Sequence, residues 1–129
     1  MESRQTGASL GIKRVYEPAS EADGVRILVD RLWPRGMSKQ AAQVDRWMKD
    51  VAPSHALRKR FHHDPEQWEA FKAAYFEELD AHPTAVADLR REMTKGHVTL
   101  IYAARDEQYN NAVALKSYLE LNPGEPQTG

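Results

Sequence analysis

A chain of 129 residues with 41% hydrophobic content is long enough to bury a core without disulfide or metal staples. Its 18 Lys and Arg nearly balance 19 Asp and Glu, leaving a formal net charge of −1 and arguing against a dedicated nucleic-acid binder. There is no Cys, which excludes disulfides, thiolate metal sites and a Cys nucleophile.

The small net charge hides an asymmetry. Residues 26–60 carry nine Lys or Arg against three Asp, whereas residues 64–92 carry eight acids against three bases. Opposite faces of opposite sign are expected, with the basic one suited to an anion. No apolar run approaches the roughly 18 residues of a membrane span, and the start of the chain lacks a signal-peptide layout. With the absence of Cys, this leads to the expectation of a cytoplasmic protein with no membrane partner.

In chain order, residues 1–11 are polar and small and are read as a tail. Residues 12–17 alternate apolar and charged side chains and predict a first strand, stopped by Pro18. Residues 25–30, rich in Val, Ile and Leu, predict a second strand covered on both faces, as in a parallel sheet. The stretch 40–53 reads at either period. A strand over 44–49 is expected, with a helix opening at Gln40 as the alternative.

Helical signals then take over. Ser54 is an N-cap for a short helix with Leu57 and Phe61 on one face. Asp64-Pro65-Glu66-Gln67 resembles a capping box, ahead of a helix burying Trp68, Phe71, Tyr75 and Leu79. Pro83 starts another, with Val86, Leu89 and Met93 inward and Gly96 at its end. Residues 97–103 predict the last strand, and Asp106 is expected to cap a final helix carrying Ala112, Leu115 and Leu119. Residues 121–129 read as a second tail. The expected fold is therefore α/β: a small single-domain sandwich over 12–120, its mostly parallel sheet of three to four strands flanked by helices.

Ligands of open parallel sheets sit outside the carboxyl ends of the strands. Two stretches are expected there. The first is Asp30-Arg31-Leu32-Trp33-Pro34-Arg35-Gly36, with Lys39 behind it; the second runs from Tyr102 through Asp106 to Asn110 and Asn111. Arg31, Arg35 and Lys39 offer donors for carboxylate or phosphate. Gly36 would let backbone approach a ligand, and Trp33, Tyr102, Asn110 and Asn111 would line the walls. Asp30 and Asp106 are the candidate catalytic carboxylates. Plainer readings stand beside these: Trp33 as packing, Pro34-Arg35-Gly36 as a turn, Asp30 as a structural carboxylate. His62-His63-Asp64 is not read as a metal site, because no second pair at ligand spacing supports it.

The run Leu28-Val29-Asp30-Arg31-Leu32-Trp33-Pro34-Arg35-Gly36, followed by Ser38-Lys39, resembles the YeaO-like branch of a bacterial family with a domain of unknown function. The resemblance continues through Trp47, Ala52-Pro53-Ser54, Leu57-Arg58, Phe61-His62-His63-Asp64-Pro65, Trp68, Phe71, residues 98–106 and Asn110-Asn111-Ala112. It implies an α/β domain in a cytoplasmic bacterial protein and brings no activity or cofactor with it. Longer relatives of the wider family place a Cys after the last strand, where this chain has Tyr102, so thiol chemistry is not open to it. A label of MarR-type regulator, carried by some members of the branch, implies a winged helix that the strand pattern contradicts.

The expected function is binding of a phosphorylated or carboxylated small molecule, with hydrolysis or group transfer assisted by Asp30 if the protein is an enzyme. The alternatives are a nucleic-acid module using the 26–60 surface, or a protein-partner module using the Trp33 and Trp47 regions. Neither the ligand nor the oligomeric state is legible.

Overall fold

A computed structural model describes residues 10–61 and 64–121. Four strands, β1 (Leu10–Arg14), β2 (Val25–Leu28), β3 (Arg46–Trp47) and β4 (Val98–Tyr102), form one sheet in the order β1-β4-β2-β3, and every pairing is parallel. Five helices accompany them: α1 (Lys39–Ala42), α2 (His55–Phe61), α3 (Trp68–Asp80), α4 (Pro83–Lys95) and α5 (Asn111–Leu121). The α/β sandwich expected from the sequence is what forms.

Central position explains strand composition. β4 pairs with β1 on one side and β2 on the other, and all five of its residues are buried. Ile27, Leu28 and Val29 are fully buried as well. Alternation along the strands sends Ile27, Val29, Leu100 and Tyr102 to one face, against Leu57, Phe61, Tyr75, Leu79, Leu89 and Leu115 of the helices. Leu28 and Ile101 point the other way and join Val15, Ala42, Trp33, Met37 and Val44. The four longer helices therefore cover one face. The 33–44 segment covers the other.

Several boundaries differ from the sequence reading. β1 starts at Leu10, so Leu10 and Gly11, expected in the tail, pair with Val98 and Thr99. It ends at Arg14 because Val15 to Glu17 turn, with the Glu17 N–H on the Arg14 carbonyl at 3.1 Å. The strand expected over 44–49 shrinks to two residues, since Met48 leads directly into a 3-10 turn at Lys49–Val51. Gln40-Ala41-Ala42 belongs to a short helix capped by Ser38, whose Oγ accepts from the Ala41 N–H at 3.0 Å. Asp64 accepts from the Glu66 N–H, and a 3-10 turn over Pro65–Gln67 replaces the expected capping box. Leu121 closes α5. Residues 1–9, 62, 63 and 122–129, including both expected histidines and most of each tail, lie outside the described residues.

Polar side chains fix the elements to one another. Arg46 bonds Asp88 and Glu92, each at 2.8 Å, tying β3 to α4. These two carboxylates hold the Arg46 guanidinium well above its usual pKa. Ser54 caps α2 through Oγ, which accepts from the Leu57 N–H at 3.0 Å, and its own N–H and O–H donate to Glu78 of α3. At the opposite end of the sheet, buried Asp23 pairs with Arg26 at 2.6 Å and Lys13 at 2.9 Å. Burial alone would raise the Asp23 pKa, but the Ser20 N–H, Lys13 and Arg26 together hold it far below the usual carboxylate range.

Candidate binding site

β2 and β4 lie side by side, yet their chains leave in opposite directions. After β2 the chain crosses to the face covered by 33–44, and after β4 it feeds α5 on the other face. Such a divergence opens a crevice at the carboxyl ends of the two strands. A cavity of about 200 Å³ sits there, lined by Asp30, Arg31, Pro53, Arg58, Ala103, Ala104 and Asn111. A recess of about 40 Å³ adjoins it through the shared residues Pro53, Arg58 and Asn111, and is walled by Phe61, Trp68, Phe71 and Tyr109.

Asp30 bridges the crevice. One carboxylate oxygen accepts from the Ala103 N–H at 2.9 Å, and the other from the Asn111 amide at 3.0 Å. Asn111 also donates to the Val29 carbonyl at 3.0 Å, so α5 is tied to the end of β2. Arg31 donates through Nε to the Pro53 carbonyl at 3.1 Å and through Nη2 to the Ala52 carbonyl at 3.3 Å. That leaves three of its five N–H donors without a partner among the described residues. Arg58, exposed on the last turn of α2, donates its backbone N–H to the Ser54 carbonyl, and its guanidinium makes no hydrogen bond or ion pair among the described residues. Beneath them the buried Tyr75 hydroxyl donates to the Val51 carbonyl. Burial, and then the Asp30 and Glu78 carboxylates, push that phenol well above its usual pKa, with Arg31 opposing.

Of the residues expected at a site, Asp30, Arg31 and Asn111 line the larger cavity, and Asn110 and Asn111 the recess. Asn110 caps α5, its Oδ1 accepting from the Val113 N–H at 2.9 Å. The role expected of Asp106 as cap therefore passes to Asn110, because Asp106 Oδ1 takes the Gln108 and Tyr109 N–H groups in its own turn. Asp106, Trp33, Arg35, Gly36, Lys39 and Tyr102 line neither cavity. Tyr102 points into the core at 3% exposure, and burial followed by the Glu107 and Glu17 carboxylates raises its pKa.

The Trp33–Lys39 segment lies over the far face of the sheet. Trp33 donates to the Met37 carbonyl at 2.6 Å and meets Trp47 edge-on at 5.4 Å. Arg35 is exposed, and its carbonyl accepts the Tyr16 hydroxyl at 2.8 Å. Gly36 borders open space, with nothing within 4 Å of where its Cβ would stand. Its φ of +78° in the Pro34–Met37 turn, closed by the Met37 N–H on the Pro34 carbonyl, is the reason for glycine there.

Sequence reasoning missed Arg58, Pro53, Phe61, Trp68, Phe71 and Tyr109 as lining. The available signal was the basic Arg58-Lys59-Arg60 at the end of a short capped helix following Pro53. The aromatics carried only a helical period, which reads as core.

Fold and crevice together define a small parallel α/β protein with its cavity at a topological switch point. The chain belongs to the family described as the inactive DUF488-N3 subclade, whose model matches residues 9–127. It is 42% identical over 107 residues to the uncharacterized protein YeaO of Escherichia coli K12, covering 83% of this chain and 93% of that one. It is also 42% identical over 108 residues to the uncharacterized protein Rv3073c of Mycobacterium tuberculosis, covering 84% and 91%. No solved structure matches it significantly. Among the described residues no helix is long and apolar enough to cross a membrane.

Proposed function

We propose that this protein binds an anionic small molecule in the β2–β4 crevice and does not transform it. The observation that carries this reading is Arg58, a guanidinium without a partner among the described residues, on the rim of a cavity that Arg31 also faces. An unpaired planar donor fork beside a second one suits a carboxylate or phosphate. Binding without turnover is favoured by two things. Asp30, the candidate base, ties strand ends together through both oxygens, and the family's own description is of an inactive subclade. The bacterial sources of the relatives and the Cys-free sequence support a cytoplasmic bacterial setting.

The test is a thermal-shift screen of phosphates, nucleotides and small carboxylates. A ligand at about 100 times its Kd adds about 2.7 kcal/mol of stability, ample for detection. Stabilisation by at least one anion, lost in Arg58→Ala, is the expected result. A screen in which no anion stabilises the folded wild-type protein contradicts the reading.

A further inference from the structure

The lining of the crevice narrows the ligand further, on the premise that the crevice is an anion site. We infer that the ligand is a monocarboxylate carrying a single aromatic ring. Charge comes first. Arg31 and Arg58 face the larger chamber with Asp30, so among the described residues its lining carries one net positive charge. That balances a carboxylate and leaves the second charge of a phosphate monoester uncompensated.

Size comes second. An apolar cavity of about 150 Å³ holds benzene, so about 200 Å³ has room for one ring and a small substituent. A dinucleotide does not fit.

The recess sets the orientation. Trp68 and Phe71 stack at 5.8 Å with 22° between their planes, and Tyr109 meets Trp68 edge-on at 5.3 Å. The remaining space of about 40 Å³ receives the edge of a ring and not a whole one. Asp64 lines the same recess and repels an anion there. The carboxylate therefore turns towards Arg58 and Arg31, and the ring towards Trp68, with its electropositive edge near Asp64.

Titration calorimetry with benzoate, acetate, inorganic phosphate and phenyl phosphate tests this on the full chain, beside Arg58→Ala and Arg58→Lys. Benzoate is expected to bind about tenfold more tightly than acetate or phenyl phosphate, with Trp68 fluorescence reporting the ring. Arg58→Ala should lose benzoate binding and Arg58→Lys should recover part of it, at an unchanged urea midpoint. Phosphate or phenyl phosphate binding more tightly than benzoate, and lost in Arg58→Ala, overturns the monocarboxylate while leaving the anion site standing. Acetate binding as tightly as benzoate overturns the ring. Failure of all four to bind wild-type protein at millimolar concentration overturns both readings.

Discussion

Both oxygens of the Asp30 carboxylate accept hydrogen bonds, from the Ala103 N–H and from the Asn111 amide, while the Asp30 carbonyl accepts the Trp47 indole N–H at 2.7 Å. One residue thus joins the ends of β2 and β4, the start of α5 and the edge strand. Removing its side chain strands two donors in a partly buried crevice, each costing roughly 1–3 kcal/mol if left unmet. Asp30→Ala is therefore expected to lower the unfolding free energy by about 2 kcal/mol, read from urea midpoints at constant m-value. Wild-type stability in Asp30→Ala would show that the bridge is incidental.

At the level of elements, two glycines with positive φ make different demands. Gly24 has φ +64°, and a Cβ there would lie 2.3 Å from the His97 carbonyl oxygen, which also accepts the Val25 N–H that starts β2. Gly36 has φ +78° in open space. Alanine at Gly36 should cost only the conformational strain, about 1–2 kcal/mol. Alanine at Gly24 adds a backbone clash and should cost about 3 kcal/mol or more. Equal urea midpoints for the two variants would contradict this account of the β2 entry.

The same scale shows what the sequence could reveal. β2 and β4 were legible because buried parallel strands are rich in Val, Ile and Leu, and α3 and α4 because a helical period follows a proline start signal at Pro65 and at Pro83. The division of the 28–39 run was not. Asp30 and Arg31 face the crevice, whereas Trp33 to Met37 fold over the opposite face, and only the placement of β4 beside β2 decides which is which. Arg58 was hidden for a similar reason. A lone Arg beside an inward-facing Leu57 is ordinary on a helix surface, and it becomes a rim residue only because α2 follows Pro53 across the crevice mouth.

For the whole molecule, the net charge of −1 and the internal bonds of Arg26, Arg31 and Arg46 thin out the basic surface that the 26–60 composition suggests. Titration of the core is a stronger global constraint. Burial, with the Asp80 carboxylate accepting its hydroxyl, pushes Tyr118 up to about 12, and Tyr75 and Tyr102 are raised too. In the unfolded chain all three ionise near pH 10. Their contribution is thus complete below about pH 10 and is lost as pH rises towards the folded values. Urea midpoints should fall between about pH 10 and about pH 12, and fall less in Tyr118→Phe. Asp23 works at the acid end: its depressed pKa stabilises the fold above the usual carboxylate range, and that stability fades as pH drops below about 4.

The central claim is that the anion site lies in the crevice at Arg58 and not on the Trp33–Lys39 segment that dominates the sequence. Benzoate titration of Arg58→Ala and Arg35→Ala side by side tests it most directly. Loss of binding in Arg58→Ala with wild-type affinity in Arg35→Ala is the predicted result. Loss in Arg35→Ala with affinity kept in Arg58→Ala would move the site to the far face of the sheet and contradict the account.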